Sequence, residues 1–363
     1  MIRDIIKNNG TKVNILLNIP RAKTLRELAR LSGVSLSTVQ RYMSKLNRYG
    51  MLKFVPDDSY FGLIRLAVLF SYGKKVNVSY SQLPIGTMSI RNFVGVGRKL
   101  LLITAYLPRV FVKTYLAELF SIINSEILGI VHAKEYLAWK PEASVLNMYR
   151  SDKLKELRKK VYETLEKSKN PVNYRPNNKT PDSTDLKILT GKLAFGPYGK
   201  IGNQLAQLEK YFRESWNISK QTISYHYRSH VLKGWKYNTY HFYLPHERVP
   251  FSLLYLVGEE APALARALMI IPHSLSAYVE EKSAAMFVQY PDTLQRYLYE
   301  VASTAKVEIP YGPFIMNLSL SRYIPPFWRF VEGKAKKWKW IWPKKNASLI
   351  SKRLKTSAKF NGY

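Results

Sequence analysis

Apolar and polar positions between Ser35 and Gly50 repeat with a helical period, and this pattern predicts a helix of about four turns. The apolar positions follow the i, i+3, i+4, i+7 spacing of one helix face, and they are Val39, Tyr42, Met43 and Leu46. Ser35 precedes the run as an N-cap residue, and Gly50 follows it as a terminator. The opposite face carries only hydrogen-bonding and cationic side chains, namely Ser37, Gln40, Arg41, Ser44, Lys45 and Arg48.

The flanking segments extend this helix into a winged helix-turn-helix pattern. Residues 24–33 repeat apolar positions at helical spacing and stop at a glycine, which leaves only a short turn before the next helix. Residues 13–19 supply a first helix, and residues 53–63 predict two short strands around a turn that contains Asp57 and Asp58. The alternative is an ordinary three-helix core whose polar face is only solvated.

The same pattern occurs a second time in the chain. Residues 217–235 lie over residues 33–51 at a gapless offset of 184 positions. The matches fall on the cap, the first turn and the terminator, and they are Ser35 with Ser219, Thr38 with Thr222, Val39 with Ile223 and Gly50 with Gly234. Residues 289–303 also lie over residues 105–121, with a small gap. A period of this length indicates a duplicated two-domain unit.

Each half continues as a pattern of strands and helices. In the first copy, strands are predicted over 63–72, 86–96, 99–107 and 126–133, and a helix over 108–123. In the second copy, strands are predicted over 251–259, 275–281, 284–290 and 306–312, and helices over 261–271 and 291–303. The βαββαβ order is ferredoxin-like, although residues 73–85, where the first helix of the first copy should lie, have a poor helix pattern.

These patterns divide the chain into six parts and predict an α+β fold with two tandem units. The parts are a winged helix-turn-helix at 1–58, a ferredoxin-like domain at 59–149, a charged helix and linker at 150–183, a second winged helix-turn-helix at 184–248, a second ferredoxin-like domain at 249–328 and a basic, tryptophan-rich tail at 329–363. A chain of 363 residues exceeds the usual size of one core, which agrees with several domains.

Charge points to a polyanionic partner. The chain has 57 Lys and Arg against 25 Asp and Glu, a formal net charge of +32, which is far more than solubility needs. The excess is concentrated in 1–56, 184–248 and 329–363, whereas 249–328 has five basic and seven acidic residues. Nucleic acid is the favoured partner, and an anionic membrane surface is the second choice.

Other features narrow the class of protein. The chain has no cysteine, so disulfides, thiolate nucleophiles and cysteine-based zinc sites are excluded. No apolar run has the length of a spanning helix, and the N-terminal sequence does not resemble a signal peptide. We therefore expect a cytoplasmic, nucleoid-associated protein.

The segment KVNILL, followed by TLRELARLSGVSLSTVQRYMSKLNRYGML, resembles the DNA-binding domain of Lrp/AsnC-type regulators of bacteria and archaea, and DLKIL at 185–189 resembles its start in the second copy. The resemblance implies a ferredoxin-like effector and dimerisation domain and a role in transcription regulation. This chain departs from the family in carrying two units. It also has Arg98 and Lys99 where the family has an acidic residue of the effector domain, so the resemblance does not extend to amino-acid sensing.

In such folds the second helix enters the major groove of DNA. In the first head we expect base contacts from Ser37, Gln40, Arg41 and Ser44, with Thr38 at the start of the helix, and phosphate contacts from Lys45, Arg48 and Lys53. The corresponding residues of the second head are Lys220, Gln221, Ser224, Tyr225, Arg228 and Ser229. Tyr225 replaces Arg41, so the second head is expected to bind more weakly or to read another sequence.

Four of the six histidines lie close together in sequence: His226, His230, His241 and His246. The i, i+4 spacing of the first two suits zinc. However, the 184-residue offset puts His226 over Tyr42 and His230 over Leu46, both on the core face, and no acidic residue accompanies them in the pattern. Histidines packed in the core are therefore the favoured interpretation, and no metal or cofactor is predicted.

The basic tail places Trp338, Trp340 and Trp342 among lysines. Three interpretations stay open: stacking on nucleic acid, insertion at a membrane interface, or the inward face of a final strand.

Together these features predict a double-stranded DNA-binding transcription regulator, as a monomer with an internal pseudo-dimer or as a homodimer, with an unknown small-molecule effector if any. The alternatives are an architectural, chromatin-type protein with low sequence specificity and a plasmid-type replication initiator. We find no Walker loop, paired nickase histidines, zincin motif or nucleophile elbow, so no enzymatic activity is expected.

Overall fold

The computed structural model describes residues 10–72, 82–95, 97–150, 153–172, 174, 177, 180–334 and 337–343. Its N-terminal head consists of three helices followed by one strand. These elements are α1 (Gly10–Asn18), α2 (Leu25–Ser32), α3 (Leu36–Leu46) and β1 (Gly50–Pro56). Gly33 ends α2 in the left-handed conformation (φ 65°), which glycine adopts without steric cost, and this sets the short turn into α3.

A large sheet forms the centre of the molecule. Its strands are β2 (Leu63–Ser71), β3 (Thr87–Gly95), β4 (Arg98–Pro108), β5 (Ile127–Ala133), β6 (Glu135–Ala138), β8 (Ser252–Val257), β9 (Ser274–Val279), β10 (Ser283–Val288) and β11 (Phe314–Arg322). The strand order is β5-β2-β4-β3-β11-β8-β10-β9-β6. Because only Lys134 separates β5 from β6, the two ends of this order meet and the sheet closes on itself.

Helices cover the outside of this sheet and connect the halves. They are α4 (Val112–Ile122), α5 (Ala143–Arg150), α6 (Leu154–Lys167), α10 (Ala261–Leu268) and α11 (Asp292–Ala302). The second head contains α7 (Ser183–Phe195), α8 (Ile201–Phe212), α9 (Lys220–Ser229) and strand β7 (Trp235–Phe242), and a hairpin of β12 (Val331–Lys334) and β13 (Lys337–Trp340) follows the sheet.

Each head shares its apolar core with the opposite half of the chain. Leu28 and Leu46 of the first head belong to one continuous cluster with Leu264 of α10. Leu189 of the second head belongs to another cluster with Leu119 of α4. A third cluster, with alternate residues of β2, β4, β8 and β10, fills the interior of the closed sheet.

Strand β1 of the first head pairs antiparallel with β7 of the second head. Phe54 lies opposite Asn238, and these residues are 184 positions apart, the offset that relates Ser35 to Ser219. Pairing of a residue with its own sequence counterpart is what a two-fold axis through this point would produce.

Several predicted elements differ in the structure. The hairpin predicted over 53–63 does not form, because β1 pairs with β7 and the turn at Asp57 leads directly into β2. The last strand of the second half runs over Phe314–Arg322 rather than 306–312, where only Glu308 forms a single bridge to Val257. The uncertain helix slot at 73–85 and the last part of the tail lie mostly outside the described residues.

Candidate nucleic-acid interface

Helix α3 is fixed in the first head by its apolar face. Val39, Tyr42, Met43 and Leu46 are all buried, as the helical period predicts. The Ser35 side chain caps the helix by accepting a hydrogen bond from the Thr38 N–H at 3.2 Å. The free N–H groups of the first turn are thereby partly satisfied, and α3 is held rigidly against the core.

The other face of α3 is exposed along its whole length. Six predicted contact residues are solvent-exposed: Ser37, Gln40, Arg41, Ser44, Lys45 and Arg48. Thr38 is half-buried, and its hydroxyl is 2.9 Å from the Ser35 hydroxyl, so it belongs to the cap. The exposed side chains offer donors for base edges and cations for phosphates.

Additional cations surround α3. Residues 10–56 contain nine basic residues and one acidic residue, Glu27. Among the basic ones, Arg21, Arg26 and Arg30 are exposed, and the pattern of the second helix of the motif did not predict them because they lie before that helix. The sequence signal for them was the charge count of this segment.

Lys53 does not join the other predicted contacts. It lies on β1 opposite Thr239 and is half-buried. Burial, together with the nearby cations Arg322 and Arg91, lowers the pKa of Lys53 well below its ordinary value. The prediction failed to place this lysine because the pairing of β1 with β7 was not recognised.

The start of α9 in the second head repeats the cap geometry of α3. Ser219 accepts a hydrogen bond from the Thr222 N–H at 3.1 Å. Of the predicted residues, Lys220, Gln221, Tyr225 and Arg228 are exposed, whereas Ser224 and Ser229 are half-buried. Tyr225 is 59% exposed and replaces the guanidinium of Arg41 with a phenol. The second head therefore presents two exposed cations among its predicted contacts, Lys220 and Arg228, whereas the first head presents three, Arg41, Lys45 and Arg48.

The interior side of α9 differs from that of α3. None of the ten residues of α9, all of which the structure describes, is buried. His226 Nδ1 lies 2.9 Å from Asp185 Oδ1, and His230 Nδ1 lies 3.0 Å from the same oxygen. Asp182 Oδ2 lies 3.2 Å from His226 Nδ1. The expectation of core histidines without an acidic partner is therefore wrong, because α7 brings two carboxylates to them.

Two ionisable side chains of the second head, Asp185 and Lys192, are buried. Burial, followed by the carboxylate of Asp182, raises the pKa of Asp185. Lys192 is 2% exposed and donates hydrogen bonds to the carbonyls of Pro197 (2.8 Å) and Gly199 (3.1 Å). Burial lowers the pKa of Lys192 to about 8. These contacts hold the loop between α7 and α8.

The tryptophans of the tail pack as part of the fold. Trp338 and Trp340 lie on β13 and face the apolar cluster of the second head. Trp342 donates a hydrogen bond to Glu118 Oε1 at 2.8 Å and contacts Phe111. This geometry agrees with the strand interpretation of the tail, and the three indoles are half-buried.

One known domain family matches the first head. An IclR helix-turn-helix domain matches residues 14–56, which span α2, α3 and β1. The matched domain and the exposed face of α3 support a DNA-binding regulator. No curated protein matches the chain.

In the described part of the chain, no helix is long and apolar enough to span a membrane.

Two solved structures resemble the chain at 10% sequence identity. The siroheme decarboxylase NirDL aligns with a TM-score of 0.43 over 88% of this chain and 92% of its own. The same enzyme in complex with an iron-uroporphyrin III analogue aligns with a TM-score of 0.36 over 84% and 89%. The sequence alone led us to expect that this chain is not an enzyme. That expectation is corrected here, because both of these similar structures are of a decarboxylase. Missing sequence motifs did not justify that exclusion.

Proposed function

We propose that the protein is a transcription regulator that binds double-stranded DNA through two helix-turn-helix heads. The observation that carries the proposal is α3, which the matched domain includes and whose exposed face consists of polar and cationic residues. A recognition helix needs a buried apolar face for its position and a free polar face for the groove. Helix α3 meets both requirements.

The arrangement of the two heads supports a tandem, Lrp/AsnC-like organisation. Both recognition helices begin with the same Ser-to-Thr cap, at Ser35 and Ser219. In the large sheet the first half has the strand order β5-β2-β4-β3 and the second half has β11-β8-β10-β9, which is the same order when the four strands of each half are numbered along the chain. The pairing centre at Phe54 and Asn238 lies between the heads. Two ferredoxin-like domains would then mimic within one chain the dimer that single-unit regulators form.

Such a pair of heads would address two half-sites on one duplex. Half-sites of dimeric helix-turn-helix proteins are about 34 Å apart, or a multiple of this distance. The second head carries Tyr225 in place of Arg41, so we expect the two half-sites to differ in sequence or in affinity.

A second candidate is an architectural protein that coats DNA with little sequence preference. The formal net charge of +32 favours it, because phosphate contacts alone supply non-specific affinity. Selection of the full-length protein on random duplexes distinguishes the two functions. Enrichment of a motif with two elements supports the regulator. Strong binding without enrichment contradicts it and supports the architectural protein.

A further inference from the structure

Four side chains of the second head converge on one point. Asp182, which caps α7, and Asp185 in its first turn face His226 of α9 and His230 directly after α9. The ligand atoms of all four lie within 4.8 Å of one another. Asp185 is 5% exposed, and the other three side chains are partly exposed. Two imidazoles and two carboxylates form a complete ligand set for a divalent transition metal.

The cluster occupies the positions that anchor the recognition helix in the first head. By the 184-residue offset, His226 stands where the first head has Tyr42, and His230 stands where it has Leu46. Tyr42 and Leu46 are buried and anchor α3, whereas α9 has no buried residue. Polar contacts to α7 therefore take the place of the Tyr42 and Leu46 packing, beside Ile223 and Tyr227, which are half-buried against the apolar cluster.

The cluster is accessible to an ion. It lines a cleft of about 500 Å³ together with Tyr60, Asn177 and Tyr225. The histidine nitrogens lie 2.9–3.2 Å from the carboxylate oxygens. In a tetrahedral site with zinc–ligand bonds of about 2.0–2.1 Å, two ligand atoms are roughly 3.3 Å apart, which is slightly farther. A small outward movement of these side chains would create the site.

We propose that Asp182, Asp185, His226 and His230 bind one divalent transition-metal ion of the zinc type. The mixed nitrogen and oxygen ligands favour such an ion over calcium or magnesium, which prefer oxygen ligands alone. The bound ion would fix α9 on α7, so that the geometry of the second head, but not of the first, depends on metal. This proposal does not depend on the identity of the DNA site.

Zinc titration of the chelator-stripped, full-length protein against a chromophoric chelator tests the site. We expect one zinc ion per chain, a rise in melting temperature on binding, and visible absorption bands of four-coordinate cobalt when Co²⁺ replaces zinc. His230→Gln and Asp185→Asn should each abolish stoichiometric binding. His132→Gln is the matched control, because His132 faces Glu280 at 3.2 Å in another histidine–carboxylate pair, and it should bind zinc as the wild type does.

A second variant keeps the test valid if single substitutions unfold the head. His226→Tyr combined with His230→Leu introduces the residues of the first head, and we expect this protein to fold and to ignore zinc. Two results would overturn the proposal: no stoichiometric zinc binding by the wild type, or undiminished binding by the double variant. In either case the four side chains would form only a metal-free hydrogen-bond network.

Discussion

Arg41 and Lys45 are expected to contribute differently to DNA binding: Arg41 to sequence discrimination and Lys45 to general affinity. Its exposed guanidinium can pair with guanine in a bidentate manner, whereas the neighbouring ammonium of Lys45 suits a phosphate. We predict that Arg41→Ala lowers discrimination between the selected duplex and a scrambled one by about 1–3 kcal/mol. Lys45→Ala should weaken binding to both duplexes equally and reduce the salt slope by about one unit. Equal loss of discrimination in both variants would contradict these roles.

His273 makes stability depend on pH. It is 2% exposed, and burial lowers its pKa to about 4 from an ordinary value of 6.5. Because the unfolded chain then binds the proton more tightly, the free energy of unfolding should fall as pH decreases from 6.5 to 4. Two and a half pKa units correspond to about 3 kcal/mol from this residue.

The contribution of His273 can be isolated with His273→Asn, since asparagine tolerates the left-handed backbone found there (φ 74°). Urea unfolding at pH 7, 5 and 4 should show a smaller acid loss in the variant than in the wild type. His241, whose pKa burial also lowers, remains in both proteins and cancels in the comparison. Parallel pH profiles would show that His273 is not responsible.

The pairing of β1 with β7 is the element that connects the two heads. A Cβ atom at Gly50 would collide with the backbone carbonyl of His241 and with the ring of Tyr240. We predict that Gly50→Ala destabilises the protein by more than about 2 kcal/mol, as overpacking of a rigid site does. Gly202→Ala on α8 is the control, because open space surrounds that position and alanine is the better helix former. Equal melting temperatures for the two variants would contradict the role of this strand pair.

Short-range sequence patterns predicted individual helices and strands. Which elements pair or pack together depended on residues far apart in the sequence. The spacing of Val39, Tyr42 and Leu46 was sufficient to predict α3 and its exposed face, since both follow from helix geometry. The strand partner of β1 lies near residue 238, and nothing in the local pattern specifies it. Asp185 likewise reaches the histidines only because α7 packs beside α9. The candidate metal ligands were therefore visible in the sequence only as an isolated histidine pair.

At the scale of the whole molecule, the shared cores imply that the halves unfold together. Leu46 of the first head shares a cluster with Leu264 of the second half, and Leu189 of the second head shares one with Leu119 of the first half. Removing either half would expose apolar surface on the other. We predict a single calorimetric transition for the full-length protein. Two transitions separated in temperature would show that the heads or halves are independent.

The central claim is that both heads act together on one DNA duplex. The most direct test is an equilibrium titration of the full-length protein with duplexes that carry the two selected half-sites at different separations. We predict tightest binding at one helical turn, or a whole multiple of it, and weaker binding when the separation changes by half a turn. No complex even at low salt, or affinity independent of the separation, would contradict this account.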